Sequence, residues 1–281
     1  MTDAGRPPAV AGEFYAGTES PLRDQLADVF DDEYGPGPLE STANDGDVAG
    51  IVSPHAGYPF SGPVAAHGFA ALAGRETPDA VVVFGPNHGR AGATVAVAPH
   101  DRWRTPLGSM PVDREFAEAV VEESAAATFD RRAHEGEHSI EVQLPFLQYA
   151  VGNVPVVPVC LTRAGHDRAV ALGEAVAEAA AGLGRDVAVV SSTDLTHYEP
   201  HERAVEADDP VVDSVASFDD GAVARAKSEG HTMCGPWATV AGMTATRAFG
   251  AAEGERLQYA TSGQTGGSDR RVVGYASLAW R

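Results

Sequence analysis

The pattern of apolar and polar positions along the 281-residue chain changes repeatedly between two kinds of segment. Short apolar runs predict buried strands at 48–53, 80–85, 93–99, 154–161 and 186–191. Amphipathic or small-residue stretches predict helices over 20–33, 61–74, 113–125, 139–150, 167–183, 208–228 and 235–249. The final apolar segments, 257–263 and 271–280, predict a β-hairpin.

This alternation indicates the fold class. Near-continuous apolar strands separated by helices are typical of a parallel sheet that is covered on both faces. We therefore predict an α/β fold with a mostly parallel central sheet, helices on both faces and an antiparallel C-terminal hairpin. The segment 35–47 is rich in Gly, Pro and polar residues and predicts a flexible surface loop. No second linker of this kind is evident in the sequence, so we expect residues 1–281 to form a single domain.

The charge balance narrows the classes of function. Asp and Glu number 40 against 20 Lys and Arg, the formal net charge is −20, and Lys227 is the only lysine. Such a surface repels nucleic acid and anionic lipid, so we expect neither as a partner. Together with abundant Ala, Val, Gly and Asp, the acidic composition favours a halophilic protein adapted to a salt-rich cytosol.

Two further absences in the sequence indicate where the protein acts. No apolar stretch reaches the roughly 18 residues of a membrane span, and the first residues lack the basic start and apolar core of a signal peptide. The two cysteines, Cys160 and Cys234, are too few for a disulfide framework. We therefore predict a cytoplasmic protein without a transmembrane helix.

Histidines and other polar residues follow three of the predicted strands. The first strand leads into His55, the second into Asn87 and His88, and the last before the hairpin into Asp194 and His197. In open α/β sheets, ligands bind beyond the carboxyl ends of the strands. The repeated pattern therefore predicts that these side chains meet at one edge of the sheet.

The chemistry of such a cluster has several interpretations. Neutral imidazoles from different strands are good ligands for iron, zinc or copper. Asp194 and His197 are three residues apart and would share a face on a helical turn. They could complete a metal shell, orient a ligand or act as acid and base. Alternatively, Asp194 caps the following turn and His197 packs near Tyr198.

The two cysteines have different predicted roles. Cys234 lies just before the predicted helix 235–249, where the helix dipole and free amides stabilise a thiolate. This position favours a metal ligand or a reactive thiol, with a small apolar filler as the alternative. Cys160 lies within an apolar strand and is interpreted as a buried structural residue.

The segment His134-Glu135-Gly136-Glu137-His138 matches the H-E-x-x-H pattern of zinc proteases. That chemistry requires a continuous helix that places both histidines on one face. Gly136 lies in the middle, and the surrounding residues lack the apolar face of a packed helix. We therefore reject the protease interpretation and retain His138 and Glu141 as candidate pocket residues near a helix start.

Several motifs occur together in one order along the chain. They are PAVAGEFY (8–15), SPHAGYPFSG (53–62), GPNHG (85–89), EHSIEVQLPFLQ (137–148), SSTDLTHYE (191–199) and MCGPW (233–237). This set resembles the Memo family, whose prokaryotic members are also called AmmeMemoRadiSam system protein B. The resemblance extends over nearly the whole chain and implies an α/β fold like that of class III extradiol ring-cleavage dioxygenases.

The resemblance also implies a site. It places metal ligands at His55, His88 and Cys234 and matches Asp194, His197 and His138 to other pocket residues, which are predicted to be catalytic. Residues within the same motifs, Asn87, Glu141 and Tyr58, are predicted to bind substrate. The family is associated with iron or copper and with copper-dependent redox chemistry. A cysteine in place of the carboxylate of class III dioxygenases softens the site and argues against ring cleavage.

Three functions therefore remain open from the sequence. The first is a redox or oxidase-type protein with one iron or copper ion, and the second is an oxygenase of the class III extradiol type acting on a small aromatic substrate. The third is a non-catalytic module that binds a peptide or small molecule. The family association also implies an AMMECR1-like protein and a radical SAM enzyme as functional partners.

Overall fold

The computed structural model of the protein describes residues 5–39, 46, 48–230 and 233–281. Of the predicted loop 35–47, residues 40–45 and 47 lie outside this part of the chain. The strands of the described part are β1 (Gly5–Arg6), β2 (Gly50–Ser53), β3 (Ala80–Pro86), β4 (Val95–Val97), β5 (Arg102–Thr105), β6 (Gly108–Pro111), β7 (Ala127–Phe129), β8 (Val156–Leu161), β9 (Val187–Ser192), β10 (His197–Glu199), β11 (Gly254–Thr261) and β12 (Val272–Trp280).

The helices alternate with these strands along most of the chain. They are α1 (Glu19–Phe30), α2 (Tyr58–Ala73), α3 (Arg114–Glu123), α4 (Gln143–Ala150), α5 (His166–Leu183), α6 (His201–Ala216), α7 (Asp220–Ser228), α8 (Pro236–Ala248) and α9 (Ser262–Thr265). Asp113 caps α3, because its side chain accepts a hydrogen bond from the amide of Phe116.

The main sheet confirms the predicted α/β fold. Its strand order is β10-β12-β2-β9-β3-β8-β4-β7, and β11 also pairs with β12. The central strands β2, β9, β3 and β8 are mutually parallel. The C-terminal strands β11 and β12 form the expected antiparallel pair, and β12 joins the sheet by an antiparallel ladder with β2. The sheet as a whole is therefore mixed, with its parallel strands at the centre.

Helices cover both faces of the sheet because alternate strand residues point in opposite directions. On one face Val82 and Phe84 pack with residues of α3, α5, α6 and α8. On the other face Val81 and Val83 pack with residues of α1, α2 and α4. Burial on both faces explains why these strands are continuously apolar in sequence.

Several short elements were not predicted. Strands β1, β5 and β6 form a separate three-stranded sheet, and β7 and β10 lie at the two ends of the main sheet. These strands have two to four residues each, too few for a periodic pattern to stand out.

Two predicted helices have different limits in the structure. The helix expected over 208–228 is two helices, α6 and α7, separated where Phe218 has a φ of 55°. The helix expected over 139–150 begins at Gln143. The residues before Gln143 form other contacts instead of a helical turn. The Ser139 amide donates to Glu137, and the Ser139 hydroxyl donates to the carbonyl of Pro86. In the part of the chain that the structure describes, none of the helices has the length and apolar character required to span a bilayer.

Candidate metal centre

Four of the predicted site residues, His55, His88, Asp194 and His197, follow the carboxyl ends of three adjacent strands. In the sheet, β9 lies between β2 and β3, and Ser53 of β2 pairs with Ser192 of β9. The loops after these strands therefore open at one edge of the sheet, as predicted. One cavity of about 640 Å³ lies there, and the predicted residues that line it are His55, His88, His138, Asp194, His197 and Cys234.

His55 is held in one orientation at the bottom of this cavity. It is only 1% exposed, its amide donates to Asp194 Oδ1 at 2.7 Å, and its Nδ1 lies 2.8 Å from Ser192 Oγ. The Ser192 hydroxyl donates its proton to the carbonyl of Ser139, so it accepts from His55 Nδ1. The Nε2 atom consequently carries the lone pair and, although buried, has no hydrogen-bond partner.

Burial also keeps His55 neutral. Desolvation, followed by the nearby His88 and His138, holds the pKa of His55 well below its ordinary value. A neutral imidazole with a free Nε2 is the form that binds a metal ion. An unpartnered buried nitrogen is otherwise costly, and a bound ion would satisfy it.

His88 is oriented by a buried carboxylate. Its Nδ1 donates to Glu137 Oε1 at 2.9 Å, and its amide donates to Glu137 Oε2 at 2.6 Å. Burial disfavours protonation of His88, but the hydrogen bond and charge of Glu137 outweigh it and raise the pKa of His88. Burial likewise opposes ionisation of Glu137, yet its contacts with His88 hold the pKa of Glu137 below the usual range. This carboxylate–histidine pair leaves Nε2 of His88 available for a ligand.

Cys234 reaches the same cavity from the start of α8. Its amide donates to the carbonyl of Asp194, and its Sγ lies 3.8 Å from Nε2 of His197. The next residue must be glycine, because a Cβ at Gly235 would collide with the carbonyl oxygen of Ser192. Burial and the charge of Asp194 raise the pKa of the Cys234 thiol to about 12, so the expected thiolate stabilisation by the helix is overridden. A metal bound here would displace the thiol proton.

The sequence left open a helical turn that contains Asp194 and His197, but the structure has no helix at these residues. Residues 193–196 have no regular secondary structure, and His197 begins β10. His197 Nδ1 donates to the carbonyl of Leu195 at 2.7 Å, which leaves its Nε2 as an acceptor. Asp194 is buried, and desolvation raises its pKa despite the hydrogen bond from the amide of His55.

The donor atoms fit a single metal ion. Nitrogen atoms of His55 and His88 and the sulfur of Cys234 all lie within 4.8 Å of one another. His88, Glu137 and His138 meet the same distance criterion. However, Glu137 already accepts hydrogen bonds from His88 Nδ1 and from the amides of His88, His138 and Ser139. The first group is therefore the better donor set, because its atoms are less engaged by the protein.

His138 lies beside this group. Its ring stacks on that of His88, with centroids 4.7 Å apart and an interplanar angle of 14°. The pKa of His138 is lowered, and the largest cause is burial of its ring. The imidazole is therefore placed to contact a ligand that occupies the cavity.

Three predicted substrate-binding residues do not line the cavity. The side-chain amide of Asn87 donates to the backbone carbonyl of Ala91 and closes a turn. The Tyr58 hydroxyl donates to the carbonyl of Val142, and the side chain is 1% exposed. Glu141 is fully buried, forms an ion pair of 2.6 Å with Arg6 and accepts from the Tyr15 hydroxyl. Each of these polar groups is satisfied inside the protein, so the motifs that contain them also serve the fold.

The H-E-x-x-H segment is not a zinc-protease site. A short 3-10 helix ends at Ala133, and Gly136 has a φ of 72°, so no continuous helix joins the two histidines. His134 is buried with its Nε2 on the carbonyl of Ala96, whereas His138 lines the cavity. The second cysteine, Cys160, is fully buried in β8, as predicted.

The sequence reasoning missed several residues that shape the site. Glu137 and Ser192 form hydrogen bonds to the two candidate ligand histidines, and Phe14, Tyr198 and Lys227 line the cavity. Ser192 lies next to the strand end that was singled out, so a search for hydrogen-bond partners of the histidines could have found it. Lys227 was noted only as the single lysine, and its helix packs beside the site through tertiary contacts that local sequence does not encode.

The fold and site together define an α/β protein with a His/His/Cys donor set at the carboxyl edge of its sheet. Comparison with known proteins identifies the family. The family model described as Memo-like protein matches residues 6–279, so the chain belongs to the Memo family.

Relatives from archaea are similar over almost their full length. A MEMO1 family protein of Methanopyrus kandleri is 46% identical over 98% of this chain and 99% of its own. One from Methanothermobacter thermautotrophicus is 42% identical over the same shares. A third, from Methanococcoides burtonii, is 40% identical over 97% of this chain and 98% of its own.

Proposed function

We propose that this Memo family protein binds one iron or copper ion through His55, His88 and Cys234 and uses it for redox chemistry on a small molecule. The observation that carries the proposal is the unpartnered, buried Nε2 of His55, which lies in the same cavity as a second histidine and a thiol. Mixed nitrogen and sulfur donors favour copper or a redox-tuned iron over hard cations.

The bound metal would supply the one-electron chemistry that the side chains lack. The protein's own residues have three tasks in this proposal. Ser192 and Glu137 fix the two imidazoles, and burial keeps His55 neutral. Asp194 and His197 Nε2 face the same cavity and can hold or accept a proton of the substrate.

The arrangement favours this proposal over ring cleavage of the class III extradiol type. Such enzymes would use two histidines and a carboxylate. Asp194 Oδ2 lies 4.0 Å from His55 Nε2, but Oδ1 accepts from the amide of His55, and among the described residues Asp194 belongs to no group of three donors that all lie within 4.8 Å of one another. Among the described residues, the clustered donors that include His55 contain Cys234 instead. The cytoplasmic location and the AMMECR1-like and radical SAM partners stay predictions.

The test is an anaerobic titration with Fe(II) and, separately, Cu(I), followed by metal analysis. We expect about one ion per chain in the wild type and almost none in the His55→Ala/His88→Ala variant. The matched control is His166→Ala/His201→Ala, which removes two histidines that do not line the cavity and should keep full metal content. Undiminished stoichiometric metal in the first variant would sink the proposed ligand set.

The redox part requires a separate measurement on the loaded protein. Ascorbate and ferricyanide should reduce and reoxidise the bound ion reversibly, as followed by its electron paramagnetic resonance signal. A tightly bound ion that does not change oxidation state over this range would reject redox chemistry while leaving metal binding intact.

A further inference from the structure

The single lysine of the chain lies at the cavity that contains the candidate metal ligands. Lys227 is exposed near the end of α7 and lines the cavity together with His55 and Cys234. Within the part of the chain that the structure describes, it forms no ion pair with a carboxylate. By contrast, Arg225 on the same helix pairs with Asp219 at 3.3 Å. The ammonium group of Lys227 is therefore free to meet a ligand.

A cation is unusual at this place because the protein as a whole is strongly acidic. With a formal net charge of −20, most of the surface repels a small anion. Of the residues that line the cavity, Asp194 is buried, whereas Lys227 is exposed. The positive charge is thus local, near the proposed metal ligands, and distinguishes this cavity from its acidic surroundings.

The walls of the cavity are suited to a planar ligand. Phe14 and Tyr198 both line it, and the Phe14 ring lies 4.8 Å from that of His138. Tyr198 is 63% exposed and has a φ of 65°, a conformation uncommon for a tyrosine. The guanidinium of Arg271 lies over its ring at 5.2 Å from the centroid and helps to hold it there. A volume of about 640 Å³ is that of a small-molecule site.

We propose that the ligand of this cavity is a small, planar organic carboxylate whose anionic group pairs with Lys227 while its apolar body packs against Phe14 and Tyr198. A second polar end of the ligand would then face the buried Nε2 of His55 and the ion proposed there. The proposal rests on the proposed function only in using the same cavity, because the contact with Lys227 requires no metal. It names the charge and shape of the ligand, which metal binding alone leaves open.

The experiment compares benzoate with benzamide, which has nearly the same shape and no charge. Binding to the full-length protein, with and without bound metal, is measured by ligand-observed NMR titration. Because Lys227 is exposed, we expect benzoate to bind about three- to fivefold more tightly than benzamide to the wild type. Lys227→Gln should abolish this preference and Lys227→Arg should retain most of it, whereas the control Arg225→Gln should leave it unchanged.

Salt provides a second measurement. The benzoate preference should shrink as KCl is raised from about 0.1 M to about 1 M, because the Debye length falls from roughly 10 to 3 Å. Equal binding of the two probes, no binding of benzoate, or a preference that survives in Lys227→Gln would each overturn the proposal. The metal content of Lys227→Gln should equal that of the wild type. The two proposals are tested by different results. Loss of metal in His55→Ala/His88→Ala supports the metal ligands, and a benzoate preference in metal-free wild-type protein supports the contact with Lys227.

Discussion

Three cavity histidines share one feature at the scale of single residues. In His55, His88 and His197, Nδ1 is engaged by a hydroxyl, a carboxylate and a backbone carbonyl, respectively. Each ring therefore presents Nε2, and its orientation is fixed by the protein before any ligand binds. Such partners normally determine both the tautomer and the basicity of a ligating histidine.

Glu137 provides the first prediction at this scale. The two carboxylate oxygens of Glu137 accept hydrogen bonds from the Nδ1 and amide of His88 and from the amides of His138 and Ser139. Replacing Glu137 with Gln removes the negative charge and leaves only one side-chain oxygen to accept these bonds. We expect Glu137→Gln to weaken Cu(I) or Fe(II) binding by about 10- to 100-fold, measured by competition with a chelator. Glu135→Gln is the matched control, because Glu135 is exposed two residues away and should leave affinity unchanged.

Circular dichroism must show that Glu137→Gln is folded before its affinity is interpreted. Wild-type affinity in the folded variant would mean that the carboxylate does not support the metal site through His88. A decrease of equal size in Glu135→Gln would point instead to a general effect of lost negative charge.

Residue-scale reasoning from the sequence proposed the candidate ligands but not the side chains that form hydrogen bonds to them. His55, His88 and Cys234 were identified from strand ends and from the family resemblance, and the structure brings them together. Glu137 was considered only within a rejected motif. Its contact with His88 joins positions 49 residues apart, which no local pattern reveals. Glu141 and Tyr58 were assigned to the cavity because their motifs also contain site residues.

At the scale of elements, the N-terminal strand β1 is tied to the segment that orients His88. Arg6 lies in β1, pairs with Glu141 and donates to the backbone carbonyls of His134 and Glu137. Its guanidinium also lies 4.0 Å from the centroid of the Trp103 ring on β5. The two-residue strand has no periodic signal, and only tertiary structure shows that it joins the small sheet to the loop 134–141.

This arrangement predicts a large stability effect at Arg6. The side chains of Arg6 and Glu141 are 4% and 0% exposed, so Arg6→Gln leaves a buried carboxylate without its counter-ion. We expect urea unfolding to show a loss of about 3 kcal/mol or more. Arg23→Gln breaks an exposed pair with Glu19 and should cost less than about 1 kcal/mol. If both variants lose the same small amount, the buried pair does not stabilise the fold as argued.

The element pattern also explains which parts of the fold the sequence predicts. The four central parallel strands are buried on both faces and therefore stand out as apolar runs. Strands β7 and β10 have only three residues each and pair at the sheet ends. Their existence depends on neighbouring strands, so local pattern does not predict them. The order of the central strands also comes from packing, and it places the three histidine-bearing loops side by side.

At the scale of the whole molecule, the formal net charge follows directly from the amino-acid composition and does not depend on the fold. The net charge of −20 implies self-repulsion in the compact state, which salt screens. One local example is α5, where Glu174 and Glu178 are both exposed and lie one helical turn apart. Like charges at this spacing destabilise a helix by roughly 0.2–0.5 kcal/mol.

The expected adaptation to salt can therefore be tested on the whole protein. Raising KCl from about 0.1 M to 1 M should increase the melting temperature measured by circular dichroism, because screening relieves repulsion among the carboxylates. The Glu174→Gln/Glu178→Gln variant should melt higher than the wild type at low salt and gain less from added KCl. Sucrose at matched osmolality is the control for effects unrelated to charge. A melting temperature that does not rise with KCl, or one that rises equally in the variant and the wild type, would contradict electrostatic repulsion as the cause of the salt dependence.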